Sequence, residues 1–198
     1  ARSSEGGLTA ANVFTVKAGN SQEILKAVTI GISTTNTSYR VEVYRQLKNP
    51  SDPLSGIPVK EATAEGYTDC SGLIQVPLSS PVLLGKGGTF SVVVTLTGKG
   101  SNCGFLAEES KYVTDANGNR VIRLTSSSAA GESFILENGV WKDQYTTSLN
   151  NIRIKAFTDN SSASMFSDVS SPSKFYYYPV YWAKEAGITT GTSATRFS

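Results

Sequence analysis

Five stretches of this chain alternate apolar and polar residues with a period of two, and that spacing constrains the fold more than any other feature. In the first, Phe14 and Val16 share a face; in LKAVTIGIS, Val28, Ile30 and Ile32 do. TSYRVEVYR puts Tyr39, Val41 and Val43 on one side and Arg40, Glu42 and Tyr44 on the other. FSVVVTLT groups Phe90, Val92, Val94 and Leu96. NIRIKAFT turns Ile152, Ile154 and Ala156 one way and Arg153 and Lys155 the other. Successive strand side chains point to opposite faces, so each stretch reads as a strand buried on one side. The connecting NPSDPLSG, LGKGG, DANGNR and ENG are rich in residues that tolerate turn dihedrals. Strand follows strand without a helical period. This predicts an all-β, antiparallel two-sheet sandwich, jelly-roll-like if its ends close, with a short C-terminal helical segment.

Composition narrows the chemistry. None of the 198 residues is histidine. That excludes Ser-His-Asp and Cys-His catalysis and histidine-ligated metal sites, and no cofactor is expected. Lysine and arginine number 18 against 16 acidic residues, with no run of either sign. A nucleic-acid partner, which requires clustered cations, is therefore not expected. No apolar stretch approaches the roughly 20 residues that span a bilayer, so membrane insertion is not expected. The opening ARSSEGGLTAAN lacks the charged-then-apolar layout of a signal peptide and reads as a chain from which any such segment has been removed. Cys70 and Cys103 either form one disulfide closing a long loop or remain as two buried thiols.

The last strand is expected to end near Thr158, followed by a linker over 159–165. Beyond it the period changes. Pro179 suits a first helical turn, Val180, Ala183 and Ala186 fall on one helical face, and Gly187 supplies a stop. The chain thus divides into a sandwich over 1–158, the linker, and a separate piece over 166–198.

That last piece carries Phe166-Ser167-Asp168-Val169, then Tyr176-Tyr177-Tyr178 and Tyr181-Trp182-Ala183. Gly187-Ile188-Thr189, Gly191-Thr192-Ser193-Ala194-Thr195 and Phe197-Ser198 follow. It resembles an S-layer homology module, a family that holds bacterial surface proteins to cell-wall polysaccharide, usually through three copies. The family's second helix, with its basic recognition residues, would begin just past Ser198, so one partial copy is read here. The larger region resembles the lectin-like accessory domain found beside papain-like cysteine peptidases of secreted and surface bacterial proteins. The carrying segments are AANVFTVKAG, LKAVTIGIS, TSYRVEVYRQL, DPLSG, VLLGKGGTFSVVVTL, GESFI and NIRIKAF. These resemblances imply an extracellular, cell-surface or cell-wall location, an upstream peptidase domain in the parent chain, and a glycan or wall-polysaccharide partner. They imply no catalysis by these residues: the family's nucleophile and base belong to the separate peptidase domain.

Sugar binding by a sandwich needs an aromatic face and a few fixed polar groups. VWKDQYT offers Trp141, Asp143 and Tyr145 on one side if extended. The competing reading is that Trp141 plugs one end of the core and Tyr145 caps it. Arg40 and Tyr44, with Glu42, offer a second patch, against which stands an ordinary solvated strand with a cross-strand ion pair. Asp115, Asn117 and Asn119 alternate as in a calcium loop. The sixth position is Arg120 instead of Gly and the twelfth Ser126 instead of Glu, so a hairpin turn at Asn117-Gly118 is expected. Glu108 and Glu109 are neighbours that would point oppositely on a strand, not a facing acid pair. The expected function is a non-catalytic surface module that binds a glycan or positions a peptidase. The alternative is a spacer with no ligand of its own.

Overall fold

The computed structural model describes residues 2–3, 7–17, 22–98, 103–147, 150–160, 166–171, 174–185 and 187–198. Ala186 and residues 161–165 of the expected linker lie outside them. The strands are β1 (Arg2–Ser3), β2 (Gly7–Thr15), β3 (Gln22–Ile32), β4 (Thr37–Arg45), β5 (Ile57–Pro58), β6 (Ala64–Thr68) and β7 (Gly72–Gly85). They continue as β8 (Thr89–Gly98), β9 (Cys103–Gly104), β10 (Lys111–Thr114), β11 (Arg120–Leu124), β12 (Ser133–Glu137), β13 (Val140–Asp143) and β14 (Ile154–Asn160). A 3-10 turn over Lys60–Ala62 and two α-helices, α1 (Gln144–Thr147) and α2 (Tyr177–Glu185), complete the described elements. No described helix is long and apolar enough to cross a membrane.

Seven strands form one antiparallel sheet in the order β13-β12-β2-β8-β4-β5, with β6 also paired to β4. Three form a second, β14-β3-β7. The alternating rows meet between them. Ala10, Val41, Val43, Val92, Val94 and Leu96 of the large sheet pack in one cluster with Val28, Ile30, Ile32, Val76, Leu84 and Ile154 of the small one. Burying such rows is the main driving force for this arrangement.

Polar residues sit in that interior too, Asn12 and its paired neighbour Ser133 among them. Asn12 belongs to the inward set of β2 and is buried. Its Nδ2 donates to the carbonyls of Ile152 and Ile154 at 2.9 and 3.0 Å, and its Oδ1 accepts from the Ser133 hydroxyl at 2.8 Å. Ser133 in turn accepts from the Ile152 amide at 3.0 Å. The large sheet thereby satisfies backbone groups at the start of β14, which belongs to the small sheet.

The C-terminal piece packs onto the sandwich. Phe166, Val169, Tyr177, Tyr178, Val180 and Tyr181 form a second apolar cluster with Leu83 of β7, against which Ile24 of β3 also packs. Gln22 donates to the Tyr177 hydroxyl at 2.8 Å, and the Arg45 guanidinium lies 3.8 Å from the Tyr178 ring centroid. The tyrosines carry the buried face of α2, whereas Ala183 is only partly buried. Tyrosine wins that face because its ring supplies apolar area and its hydroxyl finds partners: Tyr181 accepts from the Phe166 amide and donates to the Val169 carbonyl. At the helix end Gly187 has φ +70°, and the Ile188 amide reaches back to the Ala183 carbonyl. Gly191, at φ +79°, has no room for a Cβ, which would collide with the Arg196 carbonyl and the Phe166 ring. Asp168 closes the unit by accepting from the Phe197 and Ser198 amides, each at 3.0 Å.

Two expectations need correction. The Cys70–Cys103 disulfide does not form. Cys70 stands exposed in the turn between β6 and β7, where its amide donates to the Thr68 hydroxyl. Cys103 points into the core and its Sγ donates to the Leu96 carbonyl at 3.7 Å, so the sulfurs occupy opposite environments. VWKDQYT is not extended throughout: β13 ends at Asp143 and α1 begins at the next residue. β10 and β11 form a hairpin paired with no other strand among the described residues, its turn closed by the Asp115 carboxylate accepting from the Asn117 and Asn119 amides. Tyr112, Val113, Val121, Ile122 and Leu124 of this hairpin are all exposed.

Replacing Asn12 with Leu strands two buried carbonyls and one hydroxyl, and is expected to lower unfolding free energy by about 2–3 kcal/mol in urea titration. An unchanged urea midpoint would show that the network does not hold the sheets. The backbone amides of Ser198 and Phe197 hold the Asp168 carboxyl down at about 2. Because this folded-state value lies below that of a free aspartate, about 3.9, the clamp stabilises the tail above that pH and weakens as pH falls toward 2. The amide chemical shifts of Phe197 and Ser198 should follow that titration, and Asp168→Asn should abolish it.

Candidate functional site

Register brings together what the sequence presents as two patches. Directly paired residues of antiparallel strands share a face. Trp141 pairs with Leu136, Leu136 with Thr9, Thr9 with Thr95, Thr95 with Arg40 and Arg40 with Glu65. One row of side chains therefore crosses the outer face of the large sheet from Trp141 to Glu65. Four strand spacings separate Trp141 from Arg40, about 19 Å. The adjoining row runs Asp143, Phe134, Ala11, Val93, Glu42, and its middle members are buried. Between the two ends the Thr9 and Thr95 hydroxyls bond to one another at 3.1 Å.

The stronger concentration of functional groups lies at the β4 end. A groove of about 550 Å³ is lined by Arg40, Glu42, Tyr44, Pro58, Lys60 and Thr63 among others. Strand β4 supplies the first three because its outward positions alternate with the core residues Val41 and Val43. The opposite bank comes from residues 58–63, where β5 pairs with β4 and places Pro58 beside Tyr44. The Tyr44 ring is half-buried, and burial together with the Glu42 charge raises its phenol pKa. Arg40 is exposed and paired with both Glu42, at 3.2 Å, and Glu65. Hydrogen bonds to these two carboxylates, Glu42 first, hold its pKa above the usual arginine value. Exposed ion pairs of this kind add little to folding, so their partners can be exchanged for a ligand at low cost.

This arrangement offers an aromatic edge, a guanidinium, an ammonium, a carboxylate and a hydroxyl along one open trough. It can hydrogen-bond a polyhydroxylated ligand and support its C–H face. Glu42 and Glu65 share Arg40 between them instead of flanking a substrate, so the trough shows no facing acid pair.

The remaining candidates are placed differently. Trp141 is half-buried on β13, at the far edge of the same face. Asp143 is committed to local structure: its carboxylate accepts from the Gly131 and Tyr145 amides at 2.8 and 2.9 Å and starts α1. Tyr145 rides on that helix, exposed and out of line with Trp141. Arg40 and Tyr44 are thus brought into one groove, while Trp141, Asp143 and Tyr145 do not form a row. Sequence reading missed Pro58, Lys60 and Thr63. They lie in a stretch without alternation, and only its pairing to β4 makes them part of the site. Among the described residues no cluster of metal-ligating side chains occurs.

Comparison with known proteins gives a family and several solved chains, two of which follow. Residues 2–158 match the family described as "Lectin like domain". No curated protein sequence matches the chain. The structure of the cysteine protease and lectin-like domains of Cwp84, a surface layer associated protein of Clostridium difficile, is similar. It has 27% identity and a TM-score of 0.57, over 79% of this chain and 33% of that one. The clostridial cysteine protease Cwp84 after propeptide cleavage is similar at 26% identity and a TM-score of 0.58, over 81% of this chain and 38% of that one. The chain spans little more than a third of the length of these relatives.

Proposed function

The chain belongs to the family of lectin-like domains, and from that membership we propose that it is the non-catalytic accessory module of a bacterial cell-surface cysteine peptidase, binding a glycan on the outer face of its large sheet. The observation that carries this reading is the groove at β4, where Arg40, Glu42, Tyr44 and Lys60 converge on a surface outside the core. Location at the cell surface is supported by similarity to a surface layer associated protein. The piece over 166–198, with its Phe166-Ser167-Asp168-Val169 opening, is the beginning of an S-layer homology region that tethers the parent protein to wall polysaccharide. The peptidase lies in a separate, upstream domain of that parent.

A second reading, a scaffold that sets the peptidase in place with no ligand of its own, is favoured by the β10–β11 hairpin. A two-stranded ribbon with apolar residues exposed is marginal alone, and exposed apolar patches of this type mark contact surfaces. Three cations, Lys111, Arg120 and Arg123, stand among those residues and would suit an acidic neighbour.

A glycan array with the full chain separates the readings. Binding is expected, with Tyr44→Ala and Arg40→Gln each weakening the best-bound glycan by about tenfold or more. Arg40→Gln should leave the thermal midpoint essentially unchanged, since the pairs it loses are exposed. Absence of any glycan signal, with hairpin substitutions loosening association with the peptidase domain, would replace the lectin reading with the scaffold.

A further inference from the structure

Where α2 meets the edge of the sandwich, a second cavity opens, of about 420 Å³. The sandwich contributes Arg45 at the end of β4, Glu61 from the turn after β5, and Ser80 and Pro81 of β7. The helix contributes Tyr178 and Trp182. Arg45 is the one basic side chain on this wall. Its guanidinium lies 3.8 Å from the Tyr178 ring centroid, and its Nε is buried with no hydrogen-bond partner. Burial lowers its pKa, against the opposing pull of Tyr178 and Glu61. Trp182 is 63% exposed, although it is one of the largest apolar side chains available.

These groups are complementary in what they leave unused. An arginine stacked on a ring spends its face, while the N–H donors in its plane remain for a planar acceptor. A carboxylate matches that fork better than any neutral group. An exposed indole presents a flat surface suited to the C–H face of a sugar ring. Glu61 and Ser80 add acceptors for hydroxyl groups.

We propose that this cleft is a second saccharide site, selective for sugars that carry a carboxylate, with Arg45 receiving the carboxylate and Trp182 the ring. It is separate from the groove at Arg40 and Tyr44 and does not depend on ligand binding there. Because its walls come from both the sandwich and the C-terminal piece, an occupant spans them, and binding favours the docked tail over the released one.

The test uses the full chain with D-glucuronate as probe and D-glucose as its neutral counterpart, followed by the Trp182 indole N–H resonance. Glucuronate is expected to shift that resonance saturably and to bind about tenfold more tightly than glucose. Arg45→Gln should erase the preference. Trp182→Ala, at a position that packs little and followed instead by saturation transfer to the sugar protons, should abolish binding of both sugars while the Phe197 amide keeps its native shift. Tyr44→Ala should leave glucuronate binding intact, which distinguishes this site from the groove. No saturable response to glucuronate, equal binding of both sugars, or an undiminished preference in Arg45→Gln would each overturn the assignment.

Discussion

A buried amide, Asn12, with its neighbour Ser133, ties the two sheets together. Asn12 sits where alternation calls for an apolar residue, and all three of its hydrogen-bonding contacts serve the junction between β2, β12 and the start of β14. Apolar contact alone is not directional and would tolerate sliding of one sheet over the other. A satisfied polar network tolerates none, because a small displacement strands buried carbonyls. With the inner face of the large sheet committed in this way, its outer face is left to carry function. The parity of β4 that sends Val41 and Val43 inward is the same parity that sends Arg40, Glu42 and Tyr44 outward. Core and groove are two readings of one register.

The C-terminal piece is joined to this body by a different logic. Beside Val169 and Val180, rings do most of the packing. Phe166 stacks with Tyr181, Tyr177 tilts against Tyr181, and Leu83 and Ile24 of the sandwich complete the cluster. Rings can be buried here because their hydroxyls are answered, by Gln22 for Tyr177 and by Phe166 and Val169 for Tyr181. The Phe-x-Asp-Val stretch works as a unit: Phe166 fills the centre, and Asp168 gathers the two final amides.

Much of the sandwich was legible from period alone. Val28, Ile30 and Ile32, or Val92, Val94 and Leu96, announce their face because the core is built almost wholly of apolar side chains. What period cannot express is pairing. Nothing in the linear order says that Trp141 and Arg40 share one side of a sheet, since the four intervening strand spacings are set by tertiary register. Nor does it say that residues 58–63 line the groove. Asp143 illustrates a different blindness. Read as a strand residue it aligns with Trp141 and Tyr145, yet its carboxylate bonds more favourably to nearby amides and turns the chain into α1. On α2 Val180 is buried and Ala183 partly so, but the helical period does not show that Tyr177, Tyr178 and Tyr181 fill most of that face, their hydroxyls finding partners. The two thiols, Cys70 and Cys103, differ in solvent exposure, a property spacing does not encode.

The way α2 is attached also determines what would detach it. Its contacts with the sandwich include rings packed on Leu83 and Ile24, amide-to-phenol bonds from Gln22 and Gly85, and a guanidinium resting on a ring. Counterions weaken charges separated by water over distances near the Debye length, about 8 Å in physiological saline, but have little hold on groups in van der Waals contact. Screening therefore has little grip on these ring contacts, and added salt acts on them chiefly through the hydration of apolar surface.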